Sequence, residues 1–279
     1  MKKDIFLILL SSALLIFSFP NFNFWLLAWF GFIPLLFAIQ NKSKFKAFSL
    51  FYLTGVIFWL GTVYWLIHVT ALGMILLVLY LALYFGIFGL IVSQAYILPT
   101  TYYLLFIPSI WVLLEYLRNH LFSGFGWALL GYSQYLNLAV IQIADTSGVY
   151  GVSFLVMTIN VAIKQIIGFS QGSAKIKALK WPLVISLSML AAAFFYGYLR
   201  VNKIEHQRPY GSLKVAVIQG NIPQRLKWRS VAKGYIMQEY LGLSRQASRD
   251  KPDLMIWPEA ALPVIIQEEP GFLSRPGSW

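Results

Sequence analysis

Seven apolar runs fill most of the chain before residue 200, at approximately 5–19, 22–39, 47–69, 72–97, 101–121, 142–168 and 181–200. Runs of this length match the thickness of a bilayer's hydrocarbon core. Inside lipid a segment must satisfy its own backbone N–H and C=O groups, so each run is expected to be a helix. Composition points the same way, with 59% of residues hydrophobic and only 11% charged, where a soluble domain carries about a quarter charged residues. One core cannot hide that much apolar surface, so lipid must cover it. The expected architecture for residues 1–200 is a polytopic α-helical membrane bundle of about seven spans.

The first run is short and follows "MKKD", the pattern of a secretory signal. However, "FSFPNFNFW" offers no small-residue cleavage site and a second run follows at once, so a retained hairpin of two spans is expected. Loop charges then set the orientation. With a cytoplasmic N-terminus, that side carries Lys2, Lys3, Lys42, Lys44, Lys46, Lys164, Lys175, Lys177 and Lys180, against little beyond Arg118 in the opposite short loops. This is a positive-inside bias. An odd number of spans places residues 201–279 on the extracytoplasmic face.

The net charge of +12 would suit a nucleic-acid partner, but the basic residues lie mainly in loops between apolar runs. There they set topology and meet anionic headgroups, so no nucleic acid is expected. There is no cysteine, which excludes disulfides, thiolate metal sites and a cysteine nucleophile within these residues. His68, His120 and His206 are scattered without ligand spacing, so no metal is expected.

Between the fifth and sixth runs, "RNHLFSGFGWALLGYSQYLNLAVIQIADTSGVYG" is too polar and glycine-rich for a span. It reads as an interfacial or re-entrant stretch on the outer face. Gly124, Gly126 and Gly131 have no preceding strand and the wrong spacing for a dinucleotide fingerprint. Tyr132 and Gln134 are candidates to line a lipid entrance, though an interfacial aromatic belt would also account for Tyr132. Glu115 and Arg118, three apart, are expected to pair at the outer end of the fifth span. Asp145 and Asn160 are expected to satisfy backbone or neighbouring helices.

The chain changes character near Arg200. Residues 1–200 hold 11 Lys/Arg and 3 acids, whereas residues 201–279 hold 11 and 7, which marks a domain boundary. A β-type run at Val215–Ile218 ends at Gly220-Asn221. A helical pattern over 229–248 puts Ile236, Tyr240 and Leu243 on one face, and "DLMIW" is a second strand. Strand, helix, strand is a βαβ-like unit, and both strands are apolar enough to be central. Such a sheet needs more strands, so this α/β domain is expected to be incomplete. Glu259 lies just past the second strand, where open α/β sheets place their ligands. Partial burial beside Trp257 and Pro258 would suit a general base, although a solvated loop carboxylate explains its position equally well.

"VAVIQGNIPQRLKW", followed some thirty residues later by "LMIWPEAALP", resembles the start of a nitrilase-type carbon–nitrogen hydrolase domain, that of the apolipoprotein N-acyltransferases. "GFGWALLGYSQ" before "IADTSGVYGVSFLV" is similar to that family's periplasmic loop and sixth span, and the resemblance covers nearly the whole chain. It implies that Glu259 is the general base of a Glu–Lys–Cys triad and that Trp228, in "LKW", handles substrate. It also implies transfer of an acyl chain from a phospholipid donor to the α-amino group of a diacylglyceryl-modified apolipoprotein, through a thioester and without a cofactor. The family's lysine and cysteine come after the W-P-E glutamate, beyond Trp279. The 279 residues alone are therefore expected to be inactive and to represent a truncated or partial chain. A non-catalytic membrane protein that binds lipid or a partner is the alternative.

Overall fold

The computed structural model describes residues 2–170, 176–205, 211–227, 229–259 and 261. They form two compact units, Met1–His206 and Gln207–Trp279.

The first unit is built from α1 (Lys2–Phe17), α2 (Ile33–Ala38), α3 (Lys44–Val63), α4 (Ala71–Ala95), α5 (Thr100–His120), α6 (Leu138–Ile141), α7 (Ala144–Ser170) and α8 (Ile176–Glu205). Polar residues start two of the long helices. Ser43 accepts from the Lys46 N–H and Thr70 from the Gly73 N–H, each at 3.3 Å, which satisfies a first-turn donor that the helix itself cannot. Five helical stretches are long and apolar enough to cross a membrane: Lys44–His68, Ala71–Ala95, Thr100–His120, Ala144–Gly168 and Leu179–Ile204. The 25 residues of α4 rise about 37 Å, more than the roughly 30 Å of a hydrocarbon core. Large apolar side chains such as Leu72, Leu76 and Phe195 point outward. The unit is a membrane-embedded helical bundle.

The second apolar run is not a single helix. It is a 3-10 turn, Trp25–Trp29, followed by the six-residue α2. Asn21 and Asn23 precede it in the left-handed region, at φ 89° and 63°, and Pro34, which has no N–H, sits in the first turn of α2. Long-range side chains complete the missing helical hydrogen bonds. Phe32 N donates to Asn160 Oδ1 and Asn160 Nδ2 donates to Ala28 O, both at 2.9 Å. Gln134 Nε2 donates to Trp25 O at 2.9 Å, and Trp29 Nε1 donates to Gln134 Oε1 at 2.8 Å. Asn160 thus serves backbone, as its place in the sixth run suggested.

Contacts between elements fix the direction of each run. Asp4 meets Lys42 at 3.2 Å, Tyr96 donates to Leu36 O at 3.0 Å and Gln165 donates to Thr100 O at 2.9 Å. These bonds gather the start of α1, the end of α2, the α4–α5 turn and the last turns of α7 at one end of the bundle. Lys2, Lys3, Lys42, Lys44, Lys46, Lys164 and Lys180 belong to that end. At the opposite end Arg200 meets Asp145 at 2.9 Å, and Tyr196 donates to the same carboxylate.

The interior is aromatic. The Trp111 ring has Phe32, Phe88 and Phe85 edge-on at 4.6, 5.0 and 5.1 Å, the preferred T-shaped geometry. α3 and α4 approach closely through glycine. A Cβ added to Gly55 would lie 2.9 Å from Phe85 Cβ and 3.1 Å from Ala82 Cα, so a larger residue would force these helices apart.

In the second unit β1 (Val215–Val217) pairs in parallel with β2 (Leu254–Ile256), Val215 opposite Leu254. Between them run α9 (Gln224–Lys227), a 3-10 turn at Ser230–Ala232 and α10 (Lys233–Ser248). Ile236 and Tyr240 are buried with Ile218 and Ala261, and Leu243 packs on them, as the helical spacing required. Gly220 passes under Tyr240, where an added Cβ would come within 3.0 Å of the ring. Val215, Val217, Leu254 and Ile256 are exposed, so among the described residues only one face of the sheet is covered.

Candidate functional site

The stretch after α5 forms an ordered cap on the end of the bundle opposite the lysines. Its backbone has no regular ladder, so side chains of α5 and α7 satisfy it. Arg118, 4% exposed, donates from Nη1 to Phe125 O at 3.0 Å and Trp127 O at 2.8 Å, and its guanidinium lies 4.8 Å over the Trp59 ring. Glu115, 3% exposed, accepts at Oε1 from Leu130 N at 2.7 Å and from Trp111 Nε1 at 3.0 Å. Ser153 Oγ accepts from Gly131 N at 2.8 Å, and Asn119 Nδ2 donates to the Tyr150 hydroxyl at 2.7 Å.

The expected Glu115–Arg118 ion pair is corrected by these contacts. Neither residue is in an ion pair among the described residues, and both are spent on the cap. The physical reason is the cap's own backbone, which offers a buried N–H to the carboxylate and two buried carbonyls to the guanidinium.

Between the cap and the turn after α1 opens a cleft of about 770 Å³, lined by Phe19, Thr62, Trp65, Trp127, Tyr132 and Tyr135 among others. Trp65 and Trp127 stand 5.1 Å apart, and Tyr135 donates to Asn23 Oδ1. Phe19 and Ala128 also line a much smaller void of about 20 Å³ beneath, shared with Trp59, Glu115 and Arg118. Trp59 Nε1 and Glu115 Oε2 have no hydrogen-bond partner.

Tyr132 therefore lies in the cleft. Gln134 does not line it; it is fully buried, and its amide engages Trp29, Trp25 and Ser133. In the second unit, Glu259 occupies an exposed turn two residues past Trp257, closed by Ala261 N donating to Pro258 O at 3.2 Å. Trp257 is fixed by its indole N–H on Ser244 Oγ at 2.9 Å and by the Tyr240 ring at 5.3 Å. Glu259 is thus held at a defined position at the C-terminal end of β2, but without the partial burial its neighbours suggested. Trp228 lies outside the described residues. In the sequence Glu115 and Arg118 stand out only as a mutual pair and Trp59 not at all, so their role as clamps on the cap was not visible there.

Residues 11–162 match the family described as "Apolipoprotein N-acyltransferase N-terminal domain". The chain belongs to the apolipoprotein N-acyltransferase family. The matched region runs from α1 into α7 and includes the cap and the cleft. Relatives extend the likeness past the bundle. The apolipoprotein N-acyltransferase of Geobacter metallireducens is 39% identical over 98% of this chain and 54% of its own length. That of Methylococcus capsulatus is 32% identical over 95% and 53%, and that of Pasteurella multocida 31% over 95% and 52%. The chain thus spans about half the length of the curated N-acyltransferases it matches.

Proposed function

We propose that this chain provides the membrane bundle and the first βαβ unit of a nitrilase-like catalytic domain in an apolipoprotein N-acyltransferase of the bacterial inner membrane. The reaction is transfer of an acyl chain from a phospholipid to the α-amino group of a diacylglyceryl-cysteine in lipoprotein maturation. The observation that carries the reading is the 39% identity running through 98% of the chain, tail included. Both substrates are lipid-anchored, so a catalytic unit tethered to a helix bundle brings the chemistry to the plane where they lie.

In this reading the seven runs all cross, with α1 and the 25–38 segment as the first hairpin. The alternating directions of the runs and the gathering of lysines at one end support a cytoplasmic lysine end. The cap, the cleft and residues 201–279 are then extracytoplasmic. Glu259 is the base that takes the thiol proton, and thioester formation splits one difficult transfer into two easier ones. Trp228 and Tyr132 handle substrate, whereas Gln134 acts indirectly by holding Trp25 and Trp29. No cysteine is among the 279 residues, so the thiol has to come from outside them.

A chimera tests the function: residues 1–261 of this chain replace the matching N-terminal part of the Geobacter metallireducens relative. With phospholipid and a diacylglyceryl-peptide, the membrane-inserted chimera is expected to N-acylate the peptide, and the isolated 279-residue chain is not. A folded but inactive chimera, or an active isolated chain, contradicts the reading.

The orientation is tested separately, helped by the absence of native cysteine. Phe122→Cys in the exposed cap should react with a membrane-impermeant maleimide in spheroplasts. Lys44→Cys at the lysine end should react only after the membrane is broken, and the reverse pattern rules the orientation out.

A further inference from the structure

Lys164 lies on α7 at the lysine-rich end, away from the cleft, and is only 7% exposed. A lysine near the end of a membrane helix ordinarily stretches its ammonium to water; this one is scarcely exposed and has no carboxylate partner among the described residues. The three acids of residues 1–200 are engaged elsewhere. Asp4 meets Lys42, Asp145 meets Arg200, and Glu115 binds Trp111 and Leu130 at the opposite end.

What surrounds the ammonium is aromatic. Nζ lies 4.8 Å from the Tyr96 ring centroid, 5.4 Å from Tyr103 and 6.0 Å from Phe37. Ring faces attract the cation but offer its three protons no oxygen acceptor. Beside it the buried Tyr103 hydroxyl has no hydrogen-bond partner within 3.5 Å; it interacts with the Tyr96 hydroxyl, which itself donates to Leu36 O. A scarcely exposed cation with no oxygen acceptor, next to a buried hydroxyl, describes half of an anion site. A phosphate oxygen is the acceptor that pairs with a cation and a neutral donor at once. The surrounding outer surface is apolar, with Ile97 and Tyr102 exposed next to the cage. The phosphate therefore arrives on a lipid, and the lysine-rich end favours one with net negative charge.

We propose that Lys164, Tyr103, Tyr96 and Phe37 form a binding site for the phosphate of an anionic phospholipid, at the opposite end of the bundle from the cleft. The site does not rest on the acyl-transfer reading.

The test is native mass spectrometry of the delipidated full chain, titrated with dioleoylphosphatidylglycerol, with diolein (the same chains without phosphate) and with inorganic phosphate. Lys164→Met keeps the length of the side chain and should weaken phosphatidylglycerol binding about tenfold or more, as expected for loss of a charge-assisted contact. Lys164→Arg should retain most of it, and Lys180→Met, an exposed lysine at the same end, should leave it unchanged. Equal binding by the parent chain and Lys164→Met overturns the proposal, and so does diolein binding as tightly as phosphatidylglycerol. Inorganic phosphate binding as tightly as the lipid overturns the lipid assignment in favour of free phosphate. Should Lys164→Met fail to fold, Tyr103→Phe decides. It preserves the ring and removes only the hydroxyl, so a loss of about threefold is expected, and unchanged affinity overturns the proposal.

Discussion

Glu259→Gln in the active chimera lowers the N-acylation rate by about 10²- to 10⁴-fold, the range in which a positioned general base contributes. Glutamine keeps the shape of the side chain and its place after β2, so Trp257 stays on Ser244 and Tyr240 and stability is unchanged. In the proposed role, what is lost is the ability to accept the thiol proton. The loss should appear in the rate of thioester formation, read as acyl-enzyme accumulation from phospholipid before any peptide is added. Glu239→Gln on α10 is the control for charge alone and leaves the rate as it was. A chimera that keeps more than half of its activity after Glu259→Gln shows that this carboxylate is only a solvated turn residue.

The second large effect is on stability. Arg118→Met preserves much of the apolar stem but leaves the buried Phe125 and Trp127 carbonyls without their donor and removes the cation from the Trp59 face. Each abandoned carbonyl costs about 1–3 kcal/mol, so the total is about 3 kcal/mol or more. In a bundle of this size that corresponds to a fall in Tm of about 6–12 °C. Arg118→Lys should fall between, because an ammonium can reach one carbonyl but does not stack flat on indole. The change is best read by thermal unfolding in detergent, with Tyr132→Phe as a cap variant that leaves Tm in place. A shift for Arg118→Met no larger than that control would mean that the cap is held by packing rather than by this side chain.

The parts of the fold legible in the sequence were those set by long runs of one chemistry. Five long apolar helices and the α10 face of Ile236, Tyr240 and Leu243 follow from apolar content and period, which side-chain burial enforces directly. The parallel pairing of Val215 with Leu254 follows from two short apolar runs separated by a helix. The 22–39 run misled because its hydropathy is that of a span. Its breaks depend on Asn21, Asn23 and Pro34 and on a side chain, Asn160, more than a hundred residues away, which no local window contains. The same holds at the candidate site. Glu259 was marked by its position after a strand, but Gln134, read as lining a lipid entrance, proved to be the acceptor for a tryptophan at position 29. Glu115 and Arg118 looked like a pair because helical spacing allows it, and the competing partners came from an irregular segment whose path hydropathy does not determine.

The irregular backbone at Trp25–Ala38 carries a consequence for the order in which the bundle can be made. Phe32 N finds its partner in Asn160, and Ala28 O and Trp25 O take a further donor from Asn160 and Gln134. Until Asn160 has been synthesised the segment carries the Phe32 N–H without this acceptor, and a bare N–H is costly in hydrocarbon. It must wait for more than 120 further residues to be synthesised before it can close. The earliest segment to be made is therefore among the last to mature, and the finished bundle is sealed by the arrival of α7.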